Sequence, residues 1–237
     1  MKIADAIRKK EYAPPSEIDK IKAMNLSAVT LLDPEFPPYL KACNPLPFVL
    51  FYRGNLRLLH EGTRLSVIGA RNADPYGISA TEKVLKELFF KREVTIVSGM
   101  ARGIDTVAHR IALRHHQKTI AVLGSGWERC YPKQNHLLME RIADEGLLLT
   151  EYPPHTEAKA CHFPMRNRIV SALSGAVLVT EAHERSGTMI TVKFALDQGK
   201  EVLAIPHPIT RKSFCNVLIR QGAIPVLGGE DIEEVIF

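Results

Sequence analysis

The sequence predicts an α/β protein: a doubly wound, mostly parallel open sheet with a small N-terminal appendage. Three observations predict it. From about Arg64 onward, short apolar runs alternate with longer amphipathic stretches, as strands alternate with helices. Most of the runs lack polar alternation, so both of their faces are buried, as in a parallel sheet. The residues that follow the runs are rich in glycine, small side chains and arginine. Such a sheet holds its ligands beyond the carboxyl ends of its strands.

The elements follow in order. Ser16 to Leu26 reads as a short helix with Ser16 at its cap. The proline-rich passages Asp33–Leu40 and Asn44–Pro47 exclude regular helix. Phe48–Tyr52 reads as a strand closed by the turn residues Gly54 and Asn55. Residues 1–60 thus form an extension, too small for a secure core of its own, and 61–237 form the main domain. Its strands are expected at Leu65–Ile68, Val94–Val97, Thr119–Leu123, Leu147–Leu149, Ala176–Val179, Val202–Ile205 and Ala223–Leu227. Pro225 makes the last of these short or peripheral. Helices are expected over 77–91, 104–116, 134–145, 164–173, 188–198 and 214–221.

Each strand end supplies candidate ligand groups. Gly69-Ala-Arg71 places a guanidinium after the first run. Ser98-Gly-Met-Ala-Arg-Gly-Ile-Asp105 follows the second; Ser98, Gly99 and Gly103 let backbone N–H groups approach an anion at a helix start, Arg102 closes over it, and Asp105 caps the helix or accepts from the ligand. Lys133 and Asn135 bring donors after the third run, and Glu151 ends the fourth. Arg166, Asn167 and Arg168 gather two guanidiniums and an amide at the start of a helix, where the dipole favours an anion. Ser186, Gly187 and Thr188, beside Arg185, repeat the arrangement at the next helix. A solvated loop arginine or a capped βα turn explains any one of these alone. Their common phase along the strands points instead to one rim and a phosphate-bearing ligand.

The bulk properties narrow the class. The chain has 237 residues, 46% hydrophobic and 24% charged, with net charge +5, as expected of a globular protein with a mild preference for anionic partners. Cys43, Cys130, Cys161 and Cys215 form no C-x-x-C pair, so free thiols in a reducing cytoplasm are expected. No apolar stretch reaches the ~18 residues of a membrane span, and no signal peptide opens the chain, so a membrane partner is not expected. The nine histidines have no metal-ligand spacing. G-x-G-x-x-G, Walker A and G-x-S-x-G are all unmatched. No cofactor, metal or catalytic residue is therefore assigned, and a non-enzyme is expected.

Taken in order, these segments resemble the DNA-processing protein A (DprA/Smf) family. The resemblance rests on Val67-Ile-Gly-Ala-Arg71, Tyr76-Gly77, Val97–Asp105 with Ala108-His109, Ile120–Gly124, Tyr131-Pro132 with Asn135, Leu149–Pro154, Phe163-Pro-Met-Arg-Asn-Arg-Ile169, Arg185–Ile190 and Gly199–Val202. It extends from roughly Asp33 to Ala223. It implies an extended Rossmann domain that binds single-stranded DNA, protects incoming strands in natural transformation, helps to load RecA recombinase and forms a homodimer. Arg71 and the Ser98–Asp105 turn would line the strand-binding pocket, with Arg166 and Arg168 close by; Lys133 is not a fixed part of the family pattern. Bases would lie against aromatics such as Phe163 or Tyr152.

The chain departs from the family at Pro206-His207, where proline-glycine is usual, and at Phe214-Cys215-Asn216, where glycine-threonine-asparagine is usual. After Phe237 no room is left for the winged-helix domain many members carry. Two other readings stay open. One is a nucleoside-monophosphate N-glycosidase, with Glu181 before the Ser186–Thr188 turn; the other is a mononucleotide sensor using the same rim.

Overall fold

The computed structural model describes residues 27–237, apart from Arg185 and Lys212. The helix expected over 16–26 and the charge of Arg185 lie outside the described residues. The strands are β1 (Ala28–Thr30), β2 (Val49–Gly54), β3 (Arg64–Gly69), β4 (Thr95–Ser98), β5 (Thr119–Val122), β6 (Leu147–Thr150), β7 (Ala176–Glu181), β8 (Glu201–Ala204) and β9 (Ile224–Pro225). The α-helices are α1 (Pro75–Lys91), α2 (Ile104–Arg114), α3 (His136–Glu145), α4 (His162–Ala172), α5 (Gly187–Asp197), α6 (Phe214–Arg220) and α7 (Gly229–Ile236). Every run read as a strand is one, within a residue or two at each end. The sequence reading passed over β1 and α7.

One nine-stranded sheet runs in the order β1-β2-β6-β5-β4-β3-β7-β8-β9. From β3 to β9 the pairings are parallel, as is β5 with β6. The chain starts this doubly wound part at β3, winds outward to β6, then returns to β7 on the other side of β3. The reversal between β3 and β7 is the topological switch point, where a crevice opens beyond the carboxyl ends. The register of the pair also breaks there: Ile68 faces Val179 but Gly69 faces Glu181, so the strands part at the crevice. β9 is two residues long at the sheet edge, as Pro225 requires.

Period-two alternation inside the apolar runs explains the layers. Ala176 and Leu178 of β7 enter the core beneath α1, α2 and α7, while Val177 and Val179 enter the core beneath α4, α5 and α6. α3 closes a smaller cluster against β5 and β6. The described part of the N-terminal extension continues the sheet, with β2 antiparallel to β6 from Phe51 opposite Thr150 to Gly54 opposite Leu147. Leu40, Leu50 and Leu59 lie fully buried in the core they share with α4 and α5.

Candidate functional site

The crevice at the switch point is a cavity of about 530 Å³. One wall is the turn after β3, with Arg71 and Asn72; the other is the turn after β7, with His183, Ser186 and Gly187. A second cavity, about 290 Å³, is lined by Arg71, Tyr131, Ala158, Ala160, Phe163 and Pro164. A third, about 410 Å³, is lined by Arg71, Asn72, Ala101, Arg102, Tyr131 and Pro132. Arg71 walls all three, so they form one groove along the carboxyl rim.

Arg71 is exposed, its guanidinium carbon 5.5 Å from the centroid of the Phe163 ring. That ring lies 5.2 Å from Tyr131, whose side is half open to solvent. The far end of the groove is the N-terminus of α5. Ser186 occupies its cap position without making a cap bond, and its buried Oγ has no partner among the described residues. Gly187 faces open space. Thr188 donates to Gly69 O at 3.1 Å and Asn167 Nδ2 to Gly187 O at 3.3 Å, so both hold the α5 turn against the rest of the rim.

Of the two arginines of α4, Arg166 lines the first cavity from beneath and Arg168 lines none of the three. Arg166 is 4% exposed and donates through one nitrogen to Gly99 O and Val122 O, tying the ends of β4 and β5 to α4. Its Nε donates to Asn167 Oδ1 at 3.0 Å. Burial pulls its pKa down to about 10, against the opposing pull of Asp105. Its charge therefore underlies the first cavity as part of the floor. Arg168, 2% exposed, is a correction: its guanidinium binds Glu151 in a fork, both contacts 2.6 Å, and donates to Pro45 O and Met165 O. The pair is an internal clamp between α4, the end of β6 and the N-terminal segment, and it accounts for Glu151 as well.

The Ser98–Asp105 turn is corrected in the same sense. Ser98 Oγ donates to Val67 O at 2.7 Å, and the N–H groups of Gly99 and Ala101 donate to Asp105 at 3.2 Å. The acid that the sequence offered as a ligand group takes up the donors that the same turn offered to an anion. Burial raises the Asp105 pKa, with Arg166 and these N–H groups holding it down. Gly103, at φ +71°, packs its Cα against Ala70 O, so its role is the tight turn. Arg102 remains exposed in the third cavity. Lys133 is exposed and follows Pro132 of that cavity, in a 3₁₀ turn over Lys133–Asn135, whereas Asn135 is buried, donating to Met100 O and Thr106 Oγ1.

Tyr152 lines none of the three cavities; its ring stacks on His162 at 4.0 Å. Asn72, Tyr131 and His183 line the groove without having been singled out. Only Tyr131 carried a signal, its place in the Tyr131-Pro132 motif. Among the described residues, no group of three or more His, Cys, Asp or Glu is placed to hold a metal ion, and no helix is long and apolar enough to cross a membrane.

Comparison with known proteins agrees with this architecture. The sequence profile of the DNA recombination-mediator protein A family matches residues 27–236. DNA processing protein DprA of Streptococcus pneumoniae is 42% identical over 205 residues, 86% of this chain and 72% of that protein. The X-ray structure of DprA from Streptococcus pneumoniae superposes with a TM-score of 0.88 at 38% identity, over 95% of this chain and 79% of the other. DNA processing protein A from Helicobacter pylori, described for its single-stranded DNA binding mode, superposes with a TM-score of 0.78 at 28% identity, over 87% of this chain and 94% of the other. The chain belongs to the DNA recombination-mediator protein A family, the family of the DprA proteins.

Proposed function

We propose that this protein binds single-stranded DNA along the carboxyl rim and acts in DNA processing and natural transformation. The observation that carries the reading is Arg71 as the shared wall of three adjoining cavities. At one end, the Ser186 Oγ, unpartnered among the described residues, and the N-terminal amides of α5 suit a phosphate. At the other, the Tyr131–Phe163 ring pair suits a base, and stacking of this kind contributes about 1–3 kcal/mol per base with little regard to sequence. Arg71 lies between them, with Arg102 and Lys133 as further counter-charges. Strand protection, RecA loading, a homodimer and a cytoplasmic site of action belong to the same proposal, and the family relationship supports them.

A binding role without catalysis fits the position of Glu181. Its buried carboxylate accepts the Asp74 N–H at 3.0 Å and lies against Gly77, so this group is held within the wall. The 530 Å³ cavity has room for one mononucleotide, which keeps a sensor as the second reading. Titration of labelled oligo-dT against duplex of equal length, at two salt concentrations, tests the first. The single strand binds more tightly, its affinity falls with salt, and a millimolar mononucleotide competes weakly. Equal affinity for duplex, or complete displacement by the mononucleotide at low concentration, overturns it.

A further inference from the structure

The two walls of the first cavity belong to different halves of the doubly wound sheet, and beside the Thr188–Gly69 bond a buried carboxylate joins them. Glu181 ends β7, and the chain runs directly from it through His183 to Ser186, the wall at α5. Its carboxylate crosses to the other wall, where Oε2 accepts the Asp74 N–H at 3.0 Å. Asp74 is the cap of α1, two residues beyond Asn72 and three beyond Arg71. The carboxylate occupies the space that a side chain at position 77 would fill: a Cβ there would lie 2.2 Å from Oε2. This is a physical reason for glycine in the Tyr76-Gly77 pair. The second Glu181 oxygen looks back toward His183, at 3.9 Å, on its own wall.

Asp74 has two further anchors. Its Oδ1 accepts from Gly77 N at 2.8 Å, which fixes it to α1, and its Oδ2 accepts from Arg211, which lies over Tyr76. Tyr76 in turn donates to Pro206 O at 2.6 Å. Of these contacts, the one to Glu181 joins the Arg71 segment to the strand that carries the opposite wall.

We infer that Glu181 is a positioning residue for the groove: a buried crossbar that sets the distance between the Arg71 wall and the Ser186 wall, and so where Arg71 meets a phosphate. The inference rests on the strand-binding reading above. Gln at 181 keeps an acceptor for the Asp74 N–H; Ala removes it.

The test is a double-mutant cycle on oligo-dT affinity with Arg71→Ala and Glu181→Ala, each at several salt concentrations. In the wild-type background Arg71→Ala weakens binding about tenfold or more. In the Glu181→Ala background it adds little, because Arg71 has already lost its place. Glu181→Ala lowers the salt slope as Arg71→Ala does, and Glu181→Gln restores both affinity and slope. A residue that merely stabilised the fold would leave the slope of the folded protein unchanged. Amide exchange without DNA gives a second readout: the Asp74 N–H exchanges faster in Glu181→Ala and in Gly77→Ala, whose added methyl displaces the carboxylate. Equal losses for Arg71→Ala in both backgrounds, or unaltered Asp74 exchange, overturn the crossbar alone. Wild-type protein that ignores oligo-dT, or is indifferent to Arg71→Ala, overturns the groove and the crossbar together.

Discussion

Arg71, Arg166 and Arg168 look alike in the sequence and do three different things, because burial decides what a guanidinium can reach. Arg71 is exposed and walls the groove, so Arg71→Ala is expected to lower the single-strand salt slope by about 0.7 with unchanged stability. Arg166 is buried, so Arg166→Ala strands two carbonyls and the Asp105 carboxylate; urea unfolding is expected to register a loss of about 2–4 kcal/mol. His109 shows the same principle with a titrating group. It is wholly buried, its Nδ1 bonded to Thr119 Oγ1 at 2.7 Å, and burial drives its pKa from 6.5 down to about 3. Below pH 6.5 the unfolded chain takes up a proton that the folded chain refuses. The stabilising contribution is therefore complete above that pH and is lost as the pH falls toward 3, by at most about 1.4 kcal/mol per pH unit. Urea midpoints followed from neutral to acid pH should fall less steeply for His109→Gln than for the wild type; parallel curves would contradict the assignment.

The turn between β4 and α2 illustrates what an element demands of its residues. Gly103 adopts φ +71°, and a Cβ there would come within 2.1 Å of Ala70 O. Gly103→Ala is expected to destabilise by at least about 2 kcal/mol and to shift the turn that carries Arg102; a thermal melt and an oligo-dT titration check the two effects separately. Glycine and a capping acid made the presence of this turn legible. Its orientation was not, since whether its amides face a ligand or Asp105 depends on the side chain's rotamer. The overlooked elements were short for the same kind of reason. β1 has three residues, and α7 presents little more than Ile232, Val235 and Ile236 as an apolar face, too few to show a period.

At the scale of the molecule, the N-terminal strands and the doubly wound part share one sheet and one core. Leu50→Ala is accordingly expected to lower the stability of the whole described unit by about 2–5 kcal/mol in a single unfolding transition; a separate early transition would mark residues before Arg64 as independent. The sequence by itself determined the alternation of strands and helices, their burial on both faces and the rim on which ligand groups collect. These are consequences of side-chain periods of two and 3.6, which any short window of the chain displays. Only the tertiary structure decided the strand order that opens the crevice between β3 and β7, the arginine that remains at its surface, and the bond from Glu181 to Asp74 across 107 residues. Strand order and charge pairing are chosen by packing between distant segments, and no local pattern records which partner a segment will find.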